Sequence, residues 1–311
     1  MNGIELSRKF FEEYGKPMAE KEFPDIIHLL AFGLCGSGSE CFGFDDIISR
    51  DHDYDAGFCI FIPDIIDSRT EYRLERAYSR LPKEFEGVKR NILSPVGGNR
   101  KGIIRTSDFF MQKTGTKDGR LSVSDWFSLP DSALAEATNG EIFEDRYGEV
   151  TEIRQRLENM PEDIRLKKIA SNLLNMGQAG QYNYARCIKR NETGAAQLAV
   201  FEFVRSGMRT VFLLNGKFMP YYKWSFRAMR ELPVLPQLSE AFEFLISSDN
   251  TEGPAQTKQG VMEDIALMII NELKNQEVTK ADCQSLEKHA YSVNDFIKDP
   301  EIRNLNIFAA L

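Results

Sequence analysis

The stretch Leu34-Cys35-Gly36-Ser37-Gly38-Ser39 decides how the first half of this chain folds. Eleven residues separate Ser39 from Asp51-His52-Asp53, and the apolar run Phe58-Cys59-Ile60-Phe61-Ile62 comes next. A glycine-rich turn lets backbone N–H groups approach a phosphate closely. On a strand, Asp51 and Asp53 would project from the same face, with Cα atoms about 7 Å apart. Carboxylates placed in this way can share Mg²⁺, so the pattern predicts a metal and nucleotide site.

The bulk composition limits the class of partner. A chain of 311 residues is long enough for two domains, because single cores usually stop growing at roughly 250 to 300 residues. The content of 42% hydrophobic and 28% charged residues is that of an ordinary globular protein. The 39 Lys and Arg against 47 Asp and Glu give a net charge of −8. This balance argues against a broad contact with nucleic acid and favours a small polar acceptor.

The cysteines and the amino terminus indicate a cytoplasmic protein. The cysteines are odd in number and form no Cys-x-x-Cys pair, which favours reduced thiols in the core. Early glutamates such as Glu5 and Glu12 argue against a secretory signal, and no apolar stretch reaches the roughly 18 residues of a membrane span. The cysteines are Cys35, Cys41, Cys59, Cys187 and Cys283.

The first half is expected to be an α+β domain with a small mixed sheet. Leu6 to Tyr14 have helical spacing, and Gly15 and Pro17 are expected to end that helix. The apolar residues before Gly36 predict a strand that runs into the glycine-serine turn, and the run from Phe58 predicts a second strand.

Three further signals complete that half. Ser68-Arg69-Thr70-Glu71 has the capping-box pattern of a helix start. Gly102 to Thr106 is rich in β-branched residues and predicts a third strand, which leads at Ser107-Asp108 into a helix. Asp131 or Ser132 is expected to begin another helix.

The second half predicts an all-helical bundle. We therefore expect a catalytic domain over residues 1–150 and a helical substrate-binding domain over residues 151–311. Asn215-Gly216 should end a long apolar helix that runs from about Ala195 to Leu214. Ser247 to Gly260, rich in small polar residues, predicts a mobile loop.

The paired motif resembles the nucleotidyltransferase superfamily that includes DNA polymerase beta and the aminoglycoside nucleotidyltransferases. The motif of that superfamily is an apolar pair, Gly-Ser, a spacer and Asp-x-Asp. Leu34-Cys35-Gly36-Ser37 fits with a spacer of thirteen residues, and Gly38-Ser39 fits with eleven. Both registers are compatible, and His52 stands where the superfamily usually has an apolar residue.

The chain is also similar to an uncharacterised bacterial family of that superfamily. The first similar segment runs from Gly38-Ser39 through Ser49-Arg50-Asp51-His52-Asp53. The second is Leu214 to Trp224, which contains Pro220-Tyr221-Tyr222-Lys223-Trp224. The two segments tie the amino-terminal half to the helical half.

The resemblance implies transfer of a nucleoside monophosphate, AMP from ATP in the expected case, to a hydroxyl of a small, possibly aminoglycoside-like acceptor. Asp51 and Asp53 would bind Mg²⁺, with two ions expected. Asp108 is the candidate third carboxylate, and its alternative role is a helix N-cap. The residues expected to hold the triphosphate are Gly36, Ser37, Gly38 and Ser39.

The helical half would supply the general base and further nucleotide contacts. Glu192 matches an acidic position in the closer family, and Glu202 is the alternative base. A carboxylate at a helix start, such as Glu192, could instead be a favourable partner of the helix dipole. Lys217, Tyr222 and Lys223 combine positive charge with aromatic faces, which suits a triphosphate and a stacked ring. Their alternative roles are core packing for the aromatic ring and solvation for the lysines.

Two alternative functions stay open. A nucleotide-sensing or partner-binding module would keep this fold without turnover. Transfer to a protein or a transfer RNA would keep the chemistry, and a local basic patch that includes Arg186 and Arg190 leaves nucleic acid open. A calcium loop is excluded, because Ala56 and Ile62 stand where an EF-hand needs Gly and Glu.

Overall fold

The protein forms two compact units in the computed structural model. Unit 1 combines Met1–Leu121 with Ala133–Asn159, and unit 2 combines Ser122–Ser132 with Met160–Leu311. The domain boundary expected after residue 150 falls inside a helix of unit 1, Glu149–Glu158. The structure describes residues 1–46, 48, 54–90 and 101–311.

Unit 1 is built on a four-stranded mixed sheet. In order along the chain its strands are β1 (Ala31–Leu34), β2 (Cys59–Ile62), β5 (Gly102–Arg105) and β6 (Glu141–Asp145). The order across the sheet is β5-β2-β1-β6. β1 pairs antiparallel with β2 and β6, while β2 pairs parallel with β5. A separate hairpin pairs β3 (Glu84–Phe85) with β4 (Val88–Lys89).

The pairing register defines two edges of this sheet. Gly33 lies opposite Cys59, and Cys59 lies opposite Gly102, so β1 ends where β2 and β5 begin. We call this the turn edge. At the opposite edge Ala31 lies beside Phe61, so β1 begins where β2 and β5 end.

The three strands expected from the sequence are confirmed. All four residues of β2 are buried, which explains its unbroken apolar run. On one face Ile60 and Ile62 join a core with Phe10 and Leu74, while Phe61 on the other face packs against Phe109 at a ring distance of 5.4 Å. β6 was not expected, because its residues carry three carboxylates in a row of five.

The helices of unit 1 cover the sheet. They are α1 (Gly3–Phe10), α2 (Lys16–Glu22), α3 (Ser68–Ser79), α4 (Thr106–Thr114), α6 (Asp131–Thr138) and α7 (Glu149–Glu158). The first two residues of α6, Asp131 and Ser132, belong to unit 2. The expected end of the first helix at Gly15 and Pro17 is wrong. A π-helical turn, Phe11–Gly15, joins α1 to α2, and Pro17 sits in the first turn of α2, where no N–H is needed.

Gly15 and the residue that caps α3 differ in their structural role from what the sequence predicts. A Cβ on Gly15 would lie 2.3 Å from the ring of Phe58, so this glycine permits close packing and does not end a helix. Asp67, one residue before the predicted capping box, caps α3 by accepting hydrogen bonds from the N–H groups of Arg69 and Thr70.

Unit 2 is helical wherever the structure describes a regular element. Its helices are α5 (Val123–Ser128), α8 (Glu162–Met176), α9 (Ala185–Lys189), α10 (Thr193–Leu214), α11 (Tyr222–Arg230), α12 (Leu238–Ser247), α13 (Glu252–Asn275), α14 (Leu286–Asp295) and α15 (Pro300–Asn304). A π-helical segment, Gly177–Tyr184, joins α8 to α9. α8 is the central helix, packed against α10 and α14. The α+β class with a helical second part is therefore confirmed.

The loop expected over Ser247 to Gly260 is wrong, because α13 already begins at Glu252. Apolar residues further along that helix, such as Ile265 and Ile269, are buried and stabilise it despite the polar first turns. The expected helix end at Asn215-Gly216 is confirmed by the end of α10. Over the residues that the structure describes, no helix has the length and apolar character needed to cross a membrane.

Candidate functional site

The glycine-serine turn follows β1 directly at the turn edge of the sheet. Gly36 has φ +121°, a conformation that residues with a side chain rarely adopt. Ser37 is exposed, Ser39 is half-buried and Gly38 is buried between them. Within the described part of the chain, no acceptor receives a hydrogen bond from the backbone N–H groups of Ser37, Gly38 or Ser39. Successive unpaired N–H groups of this kind form an anion-binding concavity.

Asn139 holds the start of the turn in place. Its Oδ1 accepts a hydrogen bond from the N–H of Gly36 at 2.8 Å, and its Nδ2 donates to the carbonyl of Gly36 at 2.7 Å. Arg154 in turn donates to the carbonyls of Thr138 and Asn139, each at 2.7 Å. The turn is therefore fixed by contacts from the chain segment just before β6.

Beneath the turn lies a buried ion cluster of Glu40, Asp55 and Lys101. Glu40 and Asp55 are 4% and 7% exposed, although both are acidic. The ammonium of Lys101 lies 3.0 Å from Asp55 Oδ1 and 3.4 Å from Glu40 Oε1. Asp55 Oδ1 also accepts from the N–H of Gly57 at 2.6 Å. A Cβ on Gly38 would lie 2.4 Å from Glu40 Oε2, so the turn rests directly on this carboxylate.

The two carboxylates of this cluster favour the charged form of Lys101. Burial by itself lowers the pKa of Lys101, but the carboxylates of Asp55 and Glu40 outweigh burial and raise this pKa above its ordinary value. Two carboxylates against one ammonium leave the cluster with an excess negative charge. No sequence motif marks Glu40, Asp55 or Lys101 as members of a site.

The buried cysteines around this cluster are inert. Cys35, Cys41 and Cys59 are all buried, as expected, and Cys187 and Cys283 are half-buried free thiols. Burial raises the pKa of Cys35 to about 11, and burial likewise raises the pKa of Cys41 and Cys59. A thiol that stays protonated is a poor nucleophile or metal ligand.

Of the three metal ligands predicted from the sequence, Asp108 alone lies among the described residues. Asp51 and Asp53 lie outside the described residues, so their assignment stays a prediction. Asp108 is exposed in the first turn of α4, which follows the end of β5. This position is at the opposite edge of the sheet from the Gly36 turn. Over the described residues, no group of three or more His, Cys, Asp or Glu side chains could hold a metal ion.

A second group of carboxylates, which the sequence did not reveal, lies at that opposite edge. Asp64 Oδ1 accepts from the hydroxyl of Ser107 at 2.6 Å. Glu149, at the start of α7, has a buried Oε2 without a hydrogen-bond partner among the described residues. Burial raises the pKa of Glu149, a hydrogen bond from Thr106 lowers it, and the nearby charges of Asp64 and Asp145 raise it further.

The candidate residues of unit 2 fall at opposite ends of α10. Glu192 is exposed and comes directly before α10, and its side chain makes no cap hydrogen bond. Lys217 is exposed and comes just after the helix ends. A helix of 22 residues is about 33 Å long, so the structure does not bring Glu192 and Lys217 together. Glu202, the alternative base, forms an ion pair with Arg205 at 2.8 Å.

The aromatic segment at the start of α11 presents its rings to solvent. Tyr222 is 74% exposed, which excludes the alternative that it is part of the core. Its ring lies 4.2 Å from that of Tyr221, between centroids. The ammonium of Lys223 lies 4.9 Å from the centre of the Trp224 ring, a cation–π contact. The segment thus offers aromatic faces and positive charge on one surface of unit 2.

Comparisons with known proteins find one family model and one crystal structure that are similar to the chain. A family model described as a domain of unknown function, DUF4037, matches residues 126–225. No curated protein matches the sequence. A crystal structure of a nucleotidyltransferase-like protein from Exiguobacterium sibiricum 255-15 is similar with a TM-score of 0.37 and 11% identity, over 92% of this chain and 90% of that chain. A TM-score this low supports no argument about the fold, which is defined by the strand order and helices given above.

Proposed function

We propose that this protein is a Mg²⁺-dependent nucleotidyltransferase. It would move a nucleoside monophosphate, AMP from ATP in the expected case, to a hydroxyl of a small polar acceptor and release pyrophosphate. The observation that carries the proposal is that the N–H groups of Ser37, Gly38 and Ser39 have no acceptor among the described residues, on a turn that Asn139 fixes. Such groups bind phosphate oxygens without a cost of reorganisation.

The charge next to the turn supports a metal-bound nucleotide over a free one. Glu40 and Asp55 outnumber Lys101 beneath the turn, so a triphosphate needs extra positive charge nearby. Carboxylate oxygens are hard ligands that suit Mg²⁺, and Asp51 and Asp53 come shortly before Asp55 in the sequence. When bound, Mg²⁺ would neutralise charge on the phosphates. Asp108, at the opposite edge of the sheet, is not needed for this assignment.

The turn would orient the triphosphate while a carboxylate of unit 2 takes the proton of the acceptor hydroxyl. Glu192 is the proposed base, because its carboxylate is exposed and makes no cap hydrogen bond. Loss of a general base typically lowers the rate about a hundred- to ten-thousandfold. Glu192→Gln tests the proposed general base, and Lys223→Met, in α11, tests the proposed nucleotide contact. If neither variant changes the rate, the proposed role of unit 2 is wrong.

The decisive experiment measures ATP binding and pyrophosphate release with and without Mg²⁺, in the presence of aminoglycoside acceptors. The native chain should bind ATP in a Mg²⁺-dependent manner, and Asp51→Asn/Asp53→Asn should lose that dependence. Asp25→Asn, an exposed aspartate of unit 1, is the matched control and should behave as native. Binding that is equally strong in the double variant would overturn the metal assignment.

The alternative functions give different results in the same assay. A non-catalytic module would bind ATP but release no pyrophosphate with any acceptor. Transfer to a macromolecule would place labelled nucleotide on protein or transfer RNA from a cell lysate and leave the small acceptors unmodified. Native protein that binds no nucleotide at all would refute the proposal, transfer to a macromolecule and nucleotide sensing.

A further inference from the structure

A guanidinium on α7 contacts the segment that holds the glycine-serine turn. Arg154 is half-buried and donates one hydrogen bond to the carbonyl of Thr138 and another to that of Asn139, each at 2.7 Å. Thr138 is the last residue of α6, so these two carbonyls lack a donor inside the helix. The helix dipole also favours a cation at this end. The last turn of α6 contains no basic residue, so α7 supplies the positive charge.

These two hydrogen bonds fix the direction of the Asn139 side chain. Their acceptors are the carbonyls on either side of the Asn139 Cα, so both peptide planes that flank this atom are held. Because those planes determine where Cβ points, Arg154 sets the direction from which the amide of Asn139 approaches Gly36. That amide pairs with both backbone groups of Gly36, at 2.8 and 2.7 Å. Arg154 is thus linked to the turn through Asn139.

The backbone around Asn139 lies directly against the end of β1. Gly140 has φ +67°, and a Cβ on it would overlap the carbonyl oxygen of Leu34. Arg154 also lies beside Cys35. Burial raises the pKa of that thiol to about 11, while the charge of Arg154 and a hydrogen bond from it lower this pKa. Arg154 therefore adjoins the residue before Gly36 as well as the residue that holds Gly36.

We propose that Arg154 is a positioning residue for nucleotide binding, which holds the backbone N–H groups of residues 37–39 ready for a triphosphate by fixing Asn139. This role rests on the proposed function, which assigns the triphosphate to the turn. All residues involved belong to unit 1. A turn that is fixed before binding loses little entropy when it binds phosphate. Loss of Arg154 should therefore weaken ATP binding, although its two hydrogen bonds to carbonyls do not involve the nucleotide.

Hydrogen exchange and ATP binding test this role in Arg154→Met. Gly36 donates its N–H to Asn139, so the exchange rate of that amide, measured by NMR on the full chain, reports the contact directly. This rate should rise about tenfold relative to the amides of β2, and calorimetry with ATP and Mg²⁺ should show about fivefold weaker binding. Arg156→Met, at an arginine of the same helix that donates to the carbonyl of Asp118, is the matched control and should behave as native. A Gly36 rate that rises no more than that of β2 would overturn the proposal, because a residue needed only for stability affects both.

A double-mutant cycle with Asn139→Ala shows whether Arg154 acts through Asn139. If it does, Arg154→Met should weaken ATP binding by less than about twofold in the Asn139→Ala background, since the contact is already lost. Additive losses would show a separate route to the nucleotide and would refute the proposal. Native protein that binds no ATP overturns the proposed function instead, and the Gly36 exchange rate then decides by itself whether Arg154 positions the turn. Circular dichroism verifies each fold. If Arg154→Met does not fold, Arg154→Lys, which keeps the charge without the planar fork, is measured against the same criteria.

Discussion

The side-chain amide of Asn139 pairs with both backbone groups of Gly36. The N–H of Gly36 donates to Oδ1 at 2.8 Å, and the carbonyl of Gly36 accepts from Nδ2 at 2.7 Å. Because each of these backbone groups has one role, the orientation of the amide is unambiguous. The pair lets a glycine at φ +121° hold its conformation at the end of β1. It links residues more than one hundred positions apart in the sequence.

Replacing Asn139 tests whether this pair keeps the turn ready for phosphate. Asn139→Ala leaves two buried backbone groups unpaired, which should cost about 1–3 kcal/mol of stability. ATP binding by the folded fraction should weaken as well, because the N–H groups of Ser37, Gly38 and Ser39 lose their fixed geometry. Hydrogen exchange measured by mass spectrometry on peptides of unit 1 and calorimetry with ATP report the two effects. Asn304→Ala, at an exposed asparagine, is the control, and equal protection in both variants would contradict the expectation.

Lys101 is predicted to be essential for the stability of unit 1. Lys101→Met leaves Glu40 and Asp55 buried without their cation, and breaking a buried pair in this way typically costs about 3–5 kcal/mol. Lys117→Met is the matched control, because that side chain is 62% exposed and its ammonium lies 3.9 Å from the carboxylate of Asp64. The control should change stability by less than about 0.5 kcal/mol. Hydrogen exchange of unit 1 peptides measures both variants, and similar values for the two would refute the role of the cluster.

Glu149 is predicted to make the stability of unit 1 depend on pH. Its pKa is raised, with burial as the largest cause, so its contribution is most favourable below the ordinary value of 4.5 and is lost as pH rises through the folded-state pKa. Glu149→Gln should therefore stabilise unit 1 at neutral pH, and the gain should shrink as the pH approaches about 4. Hydrogen exchange corrected for pH measures this difference. Glu152→Gln, an exposed residue of the same helix turn, should show no such trend.

Two glycines of α10 are predicted to respond in opposite ways to alanine. A Cβ on Gly207 would lie 2.5 Å from the ring of Phe242, so Gly207→Ala forces α10 and α12 apart and should cost about 1–3 kcal/mol. Gly194 has open space around the same position, and Gly194→Ala should be neutral or stabilising by up to about 1 kcal/mol. Both tryptophans of the chain, Trp126 and Trp224, belong to unit 2, so urea unfolding followed by tryptophan fluorescence reports on this unit. Equal midpoints for the two variants would contradict this explanation.

The sequence predicted well wherever one local pattern was sufficient. The apolar run at Phe58–Ile62 gave β2, because a strand buried on both faces needs an unbroken apolar run. The break at Asn215-Gly216 gave the end of α10. Local patterns were misleading at Gly15, where a glycine serves the packing of Phe58, and at Ser247 to Gly260, where burial further along α13 outweighs a polar start. In both places a contact distant in sequence outweighed the local preference.

Local sequence was sufficient to predict the glycine-serine turn, the following apolar strand and the change to helices in the second half, because each depends on the residues of one short segment. Only the tertiary structure decided which side chains support that turn. Glu40, Lys101 and Asn139 converge on it from three separate parts of the chain, and no spacing rule connects them. It also decided that Glu192 and Lys217 are separated by the length of α10. Proximity between distant segments arises from packing, which a linear pattern does not encode.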